Sequence, residues 1–130
     1  PDNSGAALGL VKVLILQGEP TEALEILRSF PAGKEYSQAQ NLLPLAEALA
    51  REPLGVDSDD LLAAAYDRSL RLVQRGNLEA AIDGLLDVLR QDKRYRSGEP
   101  RRLIIGLLEL LGEGHPATQS YRSELASILF

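Results

Sequence analysis

The chain has 130 residues, enough for one domain that buries roughly two-thirds of its unfolded surface. Hydrophobic residues make up 45%, concentrated in Leu and Ala, with four Tyr, two Phe and no Trp, a balance that favours an all-α fold over strands. There is no Cys and one His, and the net charge is −5. That excludes disulfides, thiolate nucleophiles and multi-histidine metal centres, and it argues against nucleic-acid binding through phosphate neutralisation.

No apolar run approaches the roughly 20 residues that a membrane span needs. The first five residues, Pro1 to Gly5, have no basic segment and no signal-like core. With no Met anywhere, the chain reads as a piece cut from a longer one. Its first helix is predicted from about Gly5 to Gln17, capped by Asn3 or Ser4, with Leu10, Val11, Leu14 and Ile15 at helical spacing. Gly18 ends it through a left-handed C-cap, and Pro20 opens the second helix, where a missing N–H costs nothing. That second helix ends near Pro31-Ala32-Gly33.

Tyr36 to Arg51 reads as a third helical stretch, with a kink or break expected near Leu43 because Pro44 sits inside it. Glu52-Pro53-Leu54-Gly55 is the clearest loop and divides the chain into halves. Asp57 to Asp60 caps the fourth helix; a calcium loop would also need the Gly and distal Glu of an EF-hand, which are absent. The fourth helix ends at Gly76, and Asn77 caps the fifth, whose Leu78, Ala81, Ile82, Leu85, Val88 and Leu89 form an apolar stripe. The sixth, about Pro100 to Leu111, is nearly all apolar and should be buried on most sides. His115 falls in the next loop, as a loop or cap residue rather than a catalytic one. The seventh helix places Tyr121, Leu125, Ile128 and Leu129 on one side and ends at Phe130.

Two stretches repeat at a constant offset of 58 residues. Ala7, Leu10, Leu14, Gly18, Ala23 and Leu27 line up with Ala65, Arg68, Leu72, Gly76, Ala81 and Leu85. A unit of this kind cannot bury its apolar face alone and must stack on neighbours. The phrase resembles the tetratricopeptide motif, stretched from its usual period of about 34 by the intercalated Tyr36–Arg51. The expected fold is therefore a tetratricopeptide-like, right-handed stack of antiparallel helix pairs, about seven helices in one domain spanning residues 1–130.

The second half is more distinctive. Ala81 to Arg94, the apolar Leu103–Leu111 and the closing Tyr121-Arg-Ser-Glu-Leu-Ala-Ser-Ile-Leu-Phe130 resemble the C-terminal domain of thioredoxin-like co-chaperones, the chaperedoxin family. That resemblance implies a bacterial cytoplasmic protein that holds unfolding clients and cooperates with a GroEL-type chaperonin. It also implies a preceding thioredoxin-fold domain outside this chain. The acids are scattered on helix faces and caps and no nucleophile–base pair is recognisable, so neither enzyme activity nor a cofactor is expected. The alternative is a generic helical scaffold that mediates self-association or assembly of its parent protein.

Three surfaces are candidates for protein binding. In a tetratricopeptide stack the first helix of each pair lines the concave face, which selects Leu8, Lys12, Ile15 and Leu16, then Tyr66, Leu70, Val73 and Gln74. This apolar face suits a hydrophobic client segment or an amphipathic helix better than a C-terminal carboxylate, unless the chain's own helices fill it. The last helix is second, with Arg122 and Phe130 as docking residues. Third, Arg90, Lys93, Arg94, Arg96, Arg101 and Arg102 gather around the end of helix five and the start of helix six. They complement a helix dipole or meet an acidic protein surface. The partners expected are proteins, not nucleic acid or membrane, with homo-oligomerisation left open.

Overall fold

A computed structural model of the chain describes residues 3–51 and 60–130. Among them are seven α-helices and no strand: α1 (Ser4–Leu16), α2 (Pro20–Arg28), α3 (Tyr36–Ala50), α4 (Leu61–Gln74), α5 (Leu78–Gln91), α6 (Glu99–Leu111) and α7 (Thr118–Leu129). A 3-10 turn at Tyr95–Gly98 leads into α6. The fold is all-α and tetratricopeptide-like.

Side-chain caps set the helix starts. Asn3 accepts the Ala6 N–H at 2.9 Å, Asp60 the Ala63 N–H at 3.1 Å and Asn77 the Ala80 N–H at 3.4 Å. Pro20 sits in the first turn of α2. The Glu52–Gly55 loop and the acids Asp57 to Asp59 lie outside the described residues.

The two copies of the repeat end their first helices with the same hydrogen bonds. Gly18 and Gly76 both adopt φ of +80°, a left-handed conformation that glycine takes without a side-chain penalty. Gly18 N–H donates to Ile15 C=O and Glu19 N–H to Leu14 C=O; Gly76 N–H donates to Val73 C=O and Asn77 N–H to Leu72 C=O. This paired pattern satisfies carbonyls that a helix end otherwise leaves open. The inner residues after each turn, Ala23 and Ala81, are both fully buried.

Of the kink or break expected from the sequence at Pro44, the break does not occur. The helix runs through it as one element from Tyr36 to Ala50. The carbonyl that Pro44 leaves without a partner belongs to Gln40, an exposed residue, so water can satisfy it. Leu42, Leu45 and Ala46, buried on the same helix, hold it against α2 and α6.

Packing departs from chain order at one place. α1 packs on α2, α2 on α3, α3 on α6, α6 on α5 and α5 on α4, while α3 and α4 touch only lightly. Neighbours therefore run α1–α2–α3–α6–α5–α4, with α7 laid across α5 and α6. The α3–α6 joint depends on Gly106, where a Cβ would stand 3.0 Å from the Asn41 carbonyl and 3.0 Å from the Leu45 Cβ. Leu42, Leu45, Leu103, Ile104 and Leu107 are fully buried there, each contributing about 2 kcal/mol of apolar burial.

A polar latch closes the same joint. Tyr66 of α4 donates its hydroxyl to Glu99 at the start of α6, and Arg51, following α3, donates to the Tyr66 oxygen at 3.1 Å and to Glu99. Arg96 Nε lies 3.5 Å from Glu99, and its guanidinium sits 5.0 Å over the Tyr66 ring. Burial, then the Glu99 hydrogen bond, pushes the Tyr66 phenol far above its usual range. Burial alone would raise Glu99, but the hydrogen bonds from Tyr66 and Arg51 and the charges of Arg51 and Arg96 outweigh it and hold the carboxyl low. Arg96 and Ser97 reach their places in left-handed backbone, φ +48° and +57°.

Candidate protein-binding groove

α7 is held to the rest of the molecule along one side. Tyr121 is buried, donates its hydroxyl to the Glu79 carbonyl at 3.4 Å, and has its phenol pushed up to about 12 by burial and then by the Asp83 charge. Arg90 of α5 reaches Glu124 at 3.0 Å. At the helix start Thr118 donates to the Gly112 carbonyl at 2.7 Å, and His115 Nδ1 accepts the Ala117 N–H at 3.0 Å. His115 is thus a loop and cap residue. Leu125 is buried, and Ile128 and Leu129 are half-buried.

α7 also faces α6 across an open groove of about 360 Å³. Its floor is apolar: Ile105 and Leu108 from α6, and Leu125, Ala126 and Leu129 from α7. Polar groups form the rim: Asn41, Arg101, Glu109 and Arg122. Phe130 stands at one end and is 99% exposed. Arg122 is fixed by a two-pronged pair with Glu113, one contact at 2.8 Å, and that hydrogen bond holds the Glu113 carboxyl below its usual value. Glu109 accepts from the Asn41 amide at 2.9 Å, which ties the far rim to α3.

Arg122 and Phe130, the docking residues selected from the sequence, therefore line one groove. The concave-face set divides differently. Leu8, Ile15, Tyr66 and Val73 are buried in the core and offer no surface to a partner. Leu70 and Lys12 are half-buried, while Leu16 and Gln74 are exposed. α1 and α4 each touch α3. Of the arginine cluster, Arg90 binds Asp87 and Glu124, Arg96 meets Glu99, and Arg102 donates to the Ser97 carbonyl. These three are committed to the chain's own surface. Sequence reasoning did not find Ile105, Leu108 and Ala126 as groove residues, because apolar periodicity marks a buried face without saying which neighbour leaves part of it open.

A family model described as tetratricopeptide repeat matches residues 37–130. The chain belongs to the tetratricopeptide repeat family. The match spans α3 to α7 and so contains the groove. Tetratricopeptide-like domains bind protein partners and are generally non-enzymatic scaffolds. An uncharacterized protein of Haemophilus influenzae (strain ATCC 51907 / DSM 11121 / KW20 / Rd) is 27% identical over 98% of this chain. The chain spans 63% of the length of that curated relative. No solved structure matches it significantly. Among the described residues no helix is long and apolar enough to cross a membrane, and no cluster of three or more His, Asp or Glu could hold a metal ion.

Proposed function

We propose that this tetratricopeptide domain is a co-chaperone module of the bacterial cytoplasm that docks onto a GroEL-type chaperonin and holds unfolding clients. The observation that carries the docking reading is Phe130, 99% exposed at the end of an apolar groove. A large aromatic side chain in water is the kind of group that anchors protein interfaces. Arg101 on the rim adds charge that selects an acidic border around an apolar socket. The terminal Tyr121–Phe130 segment is also the part of the chain that most resembles chaperedoxins.

Removing Ile128–Phe130 is expected to abolish chaperonin association in a pull-down while circular dichroism stays helical. Unchanged association would sink the docking reading. A scaffold that only self-associates is the second reading, and the exposed apolar side chains of α1 favour it. A chemically unfolded client separates the two: dose-dependent suppression of its aggregation supports client holding, and no suppression supports the scaffold.

A further inference from the structure

Helix α1 is apolar on both faces. Leu8, Val11, Leu14 and Ile15 are buried against the domain, while Leu10, Val13 and Leu16 on the opposite face are 51%, 46% and 43% exposed. A helix that is apolar all round is normally covered all round. The internal repeat supplies a control. Fifty-eight residues on, the same outward positions of α4 are Arg68, Arg71 and Gln74, all exposed. Both helices stand at an end of the packing order, and outer helices of a helical stack need a polar outer face. α4 has one and α1 does not.

Gly9 points the same way. Two other glycines in helix interiors mark places where helices cross closely: a Cβ on Gly84 would stand 2.3 Å from Ser69 Oγ, and one on Gly106 would stand 3.0 Å from the Asn41 carbonyl. Gly9 also lies inside a helix, yet nothing is found within 4 Å of its Cβ position. Glycine weakens a helix interior, and no contact within the described chain uses this one.

We propose that this face binds a second copy of the chain, α1 packing antiparallel on its counterpart about a two-fold axis near residue 11. The face is self-complementary in that arrangement. Ala6 falls opposite Leu16 of the second copy and Gly9 opposite its Val13, so each small residue receives a large one, and one axis satisfies both pairs. Parallel packing would set Gly9 against Gly9 and leave a gap there that no large residue fills. The only charge on α1, Lys12, lies to the flank, so no charge is buried. A single helix pair covers less than the roughly 1,200 Å² of a standard stable interface, so the dimer is weak and concentration-dependent. Each copy carries −5, so salt strengthens the association.

Sedimentation velocity from about 5 to 500 µM, at low and high salt, is expected to show a monomer–dimer equilibrium. Val13→Lys is expected to leave the chain monomeric throughout, with an unchanged helical spectrum. The absence of Cys makes single-cysteine cross-linking clean. Leu10→Cys is expected to form a disulfide dimer on mild oxidation. Leu16→Cys is not, because antiparallel packing sets the two copies of residue 16 about 15 Å apart along the helix axis, beyond disulfide reach. Arg71→Cys, the matching position on α4, serves as the negative control. A monomer at every concentration, a dimer that survives Val13→Lys, or cross-linking at Leu16 as fast as at Leu10 would each overturn the proposal.

Discussion

At Glu99 one carboxylate answers three partners from three segments: Tyr66 of α4, Arg51 after α3, and Arg96 of the 3-10 turn. Its side chain is 13% exposed, so replacing the carboxylate by an amide removes the negative charge and one of the two acceptor oxygens that face two guanidinium groups and a buried phenol. Glu99→Gln is expected to cost about 2 kcal/mol of stability by denaturant unfolding. The folded carboxyl titrates lower than the unfolded one, so its stabilisation is present above the ordinary value of 4.5 and is lost as pH falls through the folded value. Below about pH 4.5 the wild type should lose stability faster than Glu99→Gln, and the two curves should converge. Parallel curves would show that Glu99 does not carry the acid sensitivity. The sequence placed Tyr66 on a concave face offered to a partner, and the structure buries it instead. Its role beside Glu99 was not legible, because Glu99 lies 33 residues away and is presented by a left-handed turn built from Arg96 and Ser97. Neither residue type signals that backbone.

At the scale of the element, most helix starts and stops were legible because each has a local chemical cause. Asn3, Pro20, Asp60 and Asn77 open helices, and Gly18 and Gly76 close them with matching hydrogen bonds. Nothing lies within 4 Å of a Cβ at either glycine, so Gly18→Ala and Gly76→Ala meet only the left-handed backbone penalty. Each is expected to cost about 1 kcal/mol, and near-equal losses in thermal unfolding would confirm that the two turns are one device used twice. Gly106→Ala should behave differently. Alanine is the better helix former, but its Cβ meets the Asn41 carbonyl and Leu45 at 3.0 Å, so a loss of about 1–3 kcal/mol is expected where propensity alone would give a gain. The break expected at Pro44 does not form: Gln40, whose carbonyl loses its helical partner, is an exposed residue, and packing on both sides keeps α3 in one piece.

At the scale of the molecule, the repeat made the helix pairs legible but not their order. Consecutive stacking would set α4 on α3, yet α6 takes that place, drawn in by an apolar surface on most sides and by the close approach at Gly106. Such a choice depends on which of several apolar faces fit one another, and periodicity is silent on that. The same limit explains the site. Leu8, Ile15, Tyr66 and Val73 were selected as a concave face, but they fill the core beside α3, while the open groove forms where α7 crosses α6. Arg122 and Phe130, selected from the sequence on the last helix, both line that groove. The groove and the outer face of α1 are separate surfaces, so each can be altered without the other. The most direct measurement is chaperonin affinity by surface-immobilised titration of three proteins: wild type, Phe130→Asp and Leu10→Asp. Expected is a loss of about tenfold or more for Phe130→Asp, as for a buried aromatic anchor, with Leu10→Asp binding like wild type. Equal binding by wild type and Phe130→Asp, or no binding by wild type, would contradict the assignment of the α6–α7 groove as the docking site.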